Sequence, residues 1–137
     1  MPKKIVCDGN EAGAWGAVLG KPDMVAVYPI TPQSGLAEKV ASFVADGILK
    51  ADLMDVEGEH SVLSVLQGAA LAGARTFTAS CGQGLGFMFE PYWRCPNLRL
   101  PVVMCIVTRD GITPQCVWGG QQDAMTVKEC GWIHLYC

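Results

Sequence analysis

Four short β-rich runs, each separated from the next by a stretch with helical spacing, constrain this chain more than any other feature. Residues 24–28, 53–56, 75–79 and 101–107 read as strands, the last being the strongest. Ala12, Trp15 and Leu19 give a helical stripe after Asp8, which can cap it, and Glu11 completes a capping box. Thr31 followed by Pro32 suits the start of a second helix, with Leu36, Val40, Phe43 and Val44 on one face. A third helix is expected over 59–73, where Val62, Leu63, Val65, Leu66, Ala69 and Ala70 form a broad apolar stripe. Gly68, Ala72 and Gly73 offer small surfaces for close contact on that helix. Two more helices are expected over 83–93 and 121–130. Strands alternating with helices through right-handed crossovers predict an α/β fold, a parallel sheet with helices on both faces. The 137 residues suffice for one such domain and fall short of two. The closing run Gly131-Trp132-Ile133-His134-Leu135-Tyr136-Cys137 reads as a strand just beginning, so residues 1–137 are expected to form the N-terminal part of a longer subunit.

Composition narrows the function classes. Half of the residues are apolar and 17% are charged, which favours a folded domain over disorder. The net charge is −3 and the only basic doublet is Lys3-Lys4, so nucleic acid and anionic membrane surfaces are poor partners. The longest apolar run, 102–107, fits one buried strand and is too short for a bilayer. Met1-Pro2-Lys3-Lys4 leads into no signal-peptide core, and a cytoplasmic protein is expected. The seven cysteines include no C-x-x-C pair and only two histidines are present, so neither a local iron–sulfur or zinc set nor a His-rich metal site is expected. The thiols are read as free, several of them small hydrophobes in strands.

In a parallel sheet, ligands gather beyond the carboxyl ends of the strands. Here the segments in that position are 28–34, 55–60, 78–84 and 107–110, which bring Thr31, Glu59, the Ser80–Gly84 turn and Arg109 to one rim. Each has a bland reading as well. Thr31 can be a helix cap, Glu59 a first-turn anion favoured by the helix dipole, and Arg109 a partner of Asp110 or a surface carboxylate. His60 reads as a local hydrogen-bonder. Gly82, Gly84 and Gly86 form G-x-G-x-G after a strand, a weak signal for a pyrophosphate because the spacing differs from G-x-G-x-x-G.

The same loops carry a resemblance. Asp8-Gly9-Asn10-Glu11-Ala12, Tyr28-Pro29-Ile30-Thr31-Pro32, Glu57-Gly58-Glu59-His60-Ser61 and the run 73–80 with Gln83-Gly84-Leu85 resemble the α-subunit, or domain I, of the pyruvate:ferredoxin oxidoreductase superfamily. Gly131-Trp132-Ile133 fits too, so the likeness covers essentially the whole chain. The resemblance implies the pyrimidine-binding domain of a thiamine diphosphate site shared with a partner chain. The diphosphate, its Mg2+ and the iron–sulfur clusters then belong to partner subunits, and coenzyme A is a co-substrate. It implies that Glu59 contacts the aminopyrimidine nitrogen, favouring the imino tautomer that ionises the thiazolium carbon. Tyr28, Pro29 and Gln83 are implied as further cofactor contacts, and Thr31 and Arg109 as the groups that bind the substrate carboxylate.

One region departs from the pyruvate enzymes. Asp110 beside the arginine and Trp118 before Gly119-Gly120 suggest a larger, aromatic 2-oxoacid such as phenylglyoxylate, unless Trp118 packs at a subunit interface. Rival readings are a nucleotide-binding oxidoreductase domain built on the three glycines, and an assembly module that has lost its site. Thiamine-dependent decarboxylases share the glutamate logic without iron–sulfur partners.

Overall fold

A computed structural model describes residues 4–110 and 119–137. Its sheet consists of β1 (Met24–Val27), β2 (Asp52–Asp55), β3 (Thr76–Ser80) and β4 (Val102–Ile106), all parallel in the order β2-β1-β3-β4. The alternation of side chains along the two central strands explains how the layers form. Val25, Val27, Phe77 and Ala79 enter one core with α1 (Gly9–Gly20) and α2 (Ser34–Ala45). Ala26 and Val102 enter the other with α3 (Glu59–Leu71), α4 (Gln83–Phe87), α5 (Phe89–Asn97) and α6 (Gln122–Val127). The expected α/β layering with helices on both faces is therefore present. Every residue of β3 is buried, and the buried Thr78 hydroxyl is satisfied by the Ala26 carbonyl at 2.7 Å. The edge strand β2 exposes Asp52 and Asp55, charges that discourage pairing with another chain.

Several element expectations need correction. Asp8 caps α1 by accepting the Glu11 N–H at 2.8 Å, while the Glu11 carboxylate pairs with Lys39 of α2 at 2.9 Å. Leu19 is 79% exposed and Ala12 is also exposed; the buried face of α1 is Ala14 and Ala17. Small residues carry little hydrophobic signal, yet they suit a helix that lies close to its neighbour. A Cβ on Gly13 would stand 2.7 Å from Leu36 Cδ1. Helix α2 begins at Ser34 with Gln33 as its N-cap, so Thr31 caps nothing. Gly68 and Ala72 face solvent, and Gly73 ends α3 at φ +95 instead of packing against a neighbour.

The helix expected over 83–93 is two helices. Pro91 has no N–H for the Phe87 carbonyl, so the chain restarts at Phe89 with the proline in the first turn of α5. Helix α5 continues to Asn97 although Pro96 lies inside it. Pro96 cannot donate to Tyr92, and the Trp132 indole takes that carbonyl at 2.8 Å while its ring stacks on Tyr92. Held in that way, residues 131–137 join no ladder, and the expected closing strand is absent. Helix α6 is shorter than the expected 121–130. Of the described cysteines, Cys81 and Cys95 are buried, Cys105 alone lies in a strand, and Cys137 is exposed. Cys116 lies outside the described residues.

Candidate active site

The connection leaving β1 passes to the α1–α2 face, whereas the one leaving neighbouring β3 passes to the opposite face. Such a divergence opens a crevice beyond the carboxyl ends of the two strands. The loop 28–33 forms one wall and Cys81-Gly82 the other. The start of α3 brings in Glu59, and the residues after β4 bring in Arg109.

Glu59 is the first residue of α3 and only 8% exposed. Its position depends on Gly84: a Cβ there would stand 3.0 Å from Glu59 Oε1 and 2.5 Å from Ser80 Oγ. The Ser80 hydroxyl is buried without a hydrogen-bond partner, and no described residue donates a hydrogen bond to the Glu59 carboxylate. Gln33, 0% exposed, uses its Oε1 to accept the Ile30 N–H at 3.3 Å and leaves Nε2 unpartnered. Buried polar atoms left this way are costly unless something completes them, which marks a binding surface.

Arg109 forms the second half of the crevice. Its Nη1 donates to the Thr31 carbonyl and its Nη2 to Gln83 Oε1, both neutral oxygens. Its Nε is buried and unpartnered. The Cys81 thiol donates to the same Thr31 carbonyl at 3.2 Å. Burial raises the Cys81 pKa above the usual thiol range, opposed by a Gln33 N–H bond and by the Arg109 charge; Asp123 and Glu59 push it further up.

Thr31, Gln83 and Arg109 are thus joined by direct hydrogen bonds, with Thr31 contributing its carbonyl; the threonine itself is exposed. Glu59 stands with Ser80 and Gly84. Tyr28 is half-buried against the second core, and Pro29 is exposed and faces a small cleft on the α2 side; neither joins these hydrogen bonds. His60 is a local hydrogen-bonder, 3.3 Å from Glu90 and 3.4 Å from the Ser64 hydroxyl. Glu90 also binds Arg94, and that bond holds its carboxyl below the usual range.

The three glycines do not form a phosphate cradle. The Gly82 N–H is committed to Asp123 Oδ2 at 2.8 Å, the Gly84 N–H to the Cys81 carbonyl at 3.0 Å, and Gly86 faces open space. Sequence reasoning missed Asp123 and Gln33. The only signal for Asp123 was an acidic residue near a helix start, which ordinarily reads as dipole compensation. Trp118 lies outside the described residues.

Residues 15–137 match the family model described as pyruvate flavodoxin/ferredoxin oxidoreductase, thiamine diphosphate-binding. The α subunit of NADH-dependent phenylglyoxylate dehydrogenase from Aromatoleum evansii is 69% identical over 135 residues, which are 98% of this chain and 32% of that subunit. Pyruvate synthase subunit PorA of Pyrococcus horikoshii is 44% identical over 99% of this chain and 34% of its own length. The solved 2-oxoglutarate:ferredoxin oxidoreductase of Magnetococcus marinus, with 2-oxoglutarate, coenzyme A and succinyl-CoA bound, superposes with a TM-score of 0.75 at 30% identity. That superposition covers 82% of this chain and 19% of the other. The chain spans about a third of the length of the curated relatives it matches. With a parallel α/β sheet, a buried glutamate at its switch point and a family match over 15–137, the chain belongs to the pyruvate flavodoxin/ferredoxin oxidoreductase family through its thiamine-diphosphate-binding domain.

Proposed function

We propose that this chain supplies the pyrimidine-binding half of a thiamine diphosphate site in a multi-subunit, cytoplasmic 2-oxoacid oxidoreductase. The overall reaction is RCOCOO⁻ + CoASH → RCO-SCoA + CO2 + H⁺ + 2 e⁻, with an aromatic R group as in phenylglyoxylate. The two electrons leave through iron–sulfur clusters of partner subunits, which also hold the diphosphate and Mg2+. The observation that carries the reading is the Glu59 carboxylate, buried at the switch point beside the unpartnered Ser80 hydroxyl and backed by the side-chain-free Gly84. The donor set fits an aminopyrimidine: a carboxylate for a ring nitrogen, with the Ser80 hydroxyl and the Gln33 amide as further polar groups.

Thiamine diphosphate, when bound, supplies the electron sink at the 2-oxo carbon. Glu59 holds a proton at the ring nitrogen and orients the ring, with Gln83, Tyr28 and Pro29 along the cofactor's edge. Arg109 and Thr31 receive the substrate carboxylate, a task for which a planar guanidinium fork is suited. The crevice walls keep these charges in a low-dielectric setting, where fixed hydrogen-bond donors act more strongly than in water. The aromatic assignment is supported by the 69% identity to a phenylglyoxylate dehydrogenase subunit.

The test is Glu59→Gln in the assembled enzyme. Turnover should fall by about 10²–10⁴-fold, the usual share of a positioned acid–base group, with subunit assembly intact. Unchanged turnover would leave the chain as an assembly module and end the proposal.

A further inference from the structure

We propose that Asp123, which lies outside every motif carrying the family resemblance, is a positioning residue: its buried carboxylate clamps the backbones of Gly82 and Arg109 and thereby sets the guanidinium that receives the 2-oxoacid. This inference rests on the assignment of Arg109 to the substrate carboxylate.

The clamp is visible in the hydrogen bonds. Asp123 Oδ2 accepts the Gly82 N–H at 2.8 Å and the Arg109 N–H at 3.1 Å, while Oδ1 accepts the Ala124 N–H at 2.7 Å. The residue is 7% exposed. A carboxylate withdrawn from water needs strong donors, and this one is satisfied by backbone N–H groups. Their placement is informative. The β3–β4 ladder pairs Ser80 with Ile106, and the Val107 N–H still reaches the Ser80 carbonyl at 3.0 Å. Beyond that point the two chains present N–H groups, and two donors cannot bond each other. One carboxylate oxygen between them extends the connection past the end of the sheet.

The side-chain geometry depends on that connection. Gly82 has φ +49 and ψ −128, a conformation that side-chain-bearing residues avoid. A Cβ on Gly82 would stand 3.0 Å from Arg109 Cζ, so the guanidinium lies directly over the turn. From there it reaches Thr31 on the β1 loop and Gln83 at the start of α4. Without the shared acceptor, the Gly82 and Arg109 N–H groups lose the tie between them, and the guanidinium is no longer fixed over the turn. Glu59 is carried by the first turn of α3 and is not among the groups that Asp123 binds, so its carboxylate is expected to stay in place.

The test uses the assembled full-length enzyme with pyruvate and phenylglyoxylate as probes. Asp123→Ala should raise KM for the better probe by about tenfold to a hundredfold, the cost of one or two charge-assisted hydrogen bonds. The kcat should stay within about threefold, because the lost interaction is made in the ground state and the transition state alike. Thiamine diphosphate affinity should stay within about twofold, and Asp123→Asn, which keeps an acceptor oxygen, should restore KM to within about threefold of the parent. A KM unmoved by Asp123→Ala overturns the proposal, as does a parallel fall in kcat and cofactor affinity, which marks a general structural role. If the alanine variant does not assemble, Asp123→Asn decides by amide exchange at Gly82 and Arg109. Parental protection with near-parental KM supports the clamp; parental protection with KM raised tenfold or more, or lost protection with KM unmoved, overturns it. Failure of the underlying assignment looks different: the parent enzyme would show no thiamine diphosphate dependence, and Glu59→Gln would turn over normally.

Discussion

Gly84 is the residue through which local backbone and site chemistry are coupled most tightly. It brings no functional group; its missing side chain lets the Ser80 hydroxyl and the Glu59 carboxylate share one wall of the crevice. Gly84→Ala places a methyl group 2.5 Å from Ser80 Oγ and 3.0 Å from Glu59 Oε1, and relieving such overpacking costs roughly 1–3 kcal/mol. The flexible carboxylate moves more readily than the β3 backbone. The expected outcome is thiamine diphosphate binding weakened by about tenfold or more, with the subunit still folded by circular dichroism. Parental cofactor affinity in that variant would show that Glu59 has slack. At this scale Glu59, Thr31 and Arg109 were legible because they occupy strand-end loops in the sequence. The role of the Thr31 carbonyl and of Asp123 was not, since hydrogen bonds spanning 78 and 14 residues leave no mark in local spacing.

At the scale of elements, the prolines decide where helices restart and what must repair them. Pro91 divides the expected 83–93 helix, and Pro96 removes the donor that Tyr92 would otherwise have. The Trp132 indole supplies the replacement, so the segment after α6 acts as part of α5. Trp132→Phe keeps a ring against Tyr92 and leaves a buried carbonyl unpaired, at a cost of about 1–3 kcal/mol. The same substitution in a Pro96→Ala background should cost less, because an alanine there has a backbone N–H to donate to Tyr92. Denaturant unfolding of the four members of that cycle measures the difference; equal costs in both backgrounds would remove the repair role. The break at Pro91 could be read from sequence, whereas the partner of Tyr92 lies 40 residues away and could not.

Across the whole molecule, the order β2-β1-β3-β4 makes β1 and β3 neighbours whose outgoing connections pass to opposite faces, which leaves the crevice between them. Four loops from separate parts of the chain meet there, so the site requires the complete sheet. The substrate belongs to this scale as well, because in the proposed function partner chains complete the pocket. The assembled enzyme is expected to show kcat/KM for phenylglyoxylate at least about tenfold above that for pyruvate, a margin that a shaped hydrophobic pocket can supply. Steady-state kinetics with pyruvate preferred would end the aromatic assignment.

From the sequence by itself came the parallel α/β architecture, the four strands to within a residue or so, and the rim on which Thr31, Glu59 and Arg109 lie. Those follow from hydrophobic periodicity and from the rule that parallel strands end on one edge, both local or topological properties. Only the tertiary structure decided that Ala14 and Ala17, not Leu19, face the core, that residues 131–137 form no strand, and that Asp123 ties Gly82 to Arg109. Close approach of small residues and hydrogen bonds between distant segments are set by how layers meet in space, and one-dimensional spacing contains no record of that.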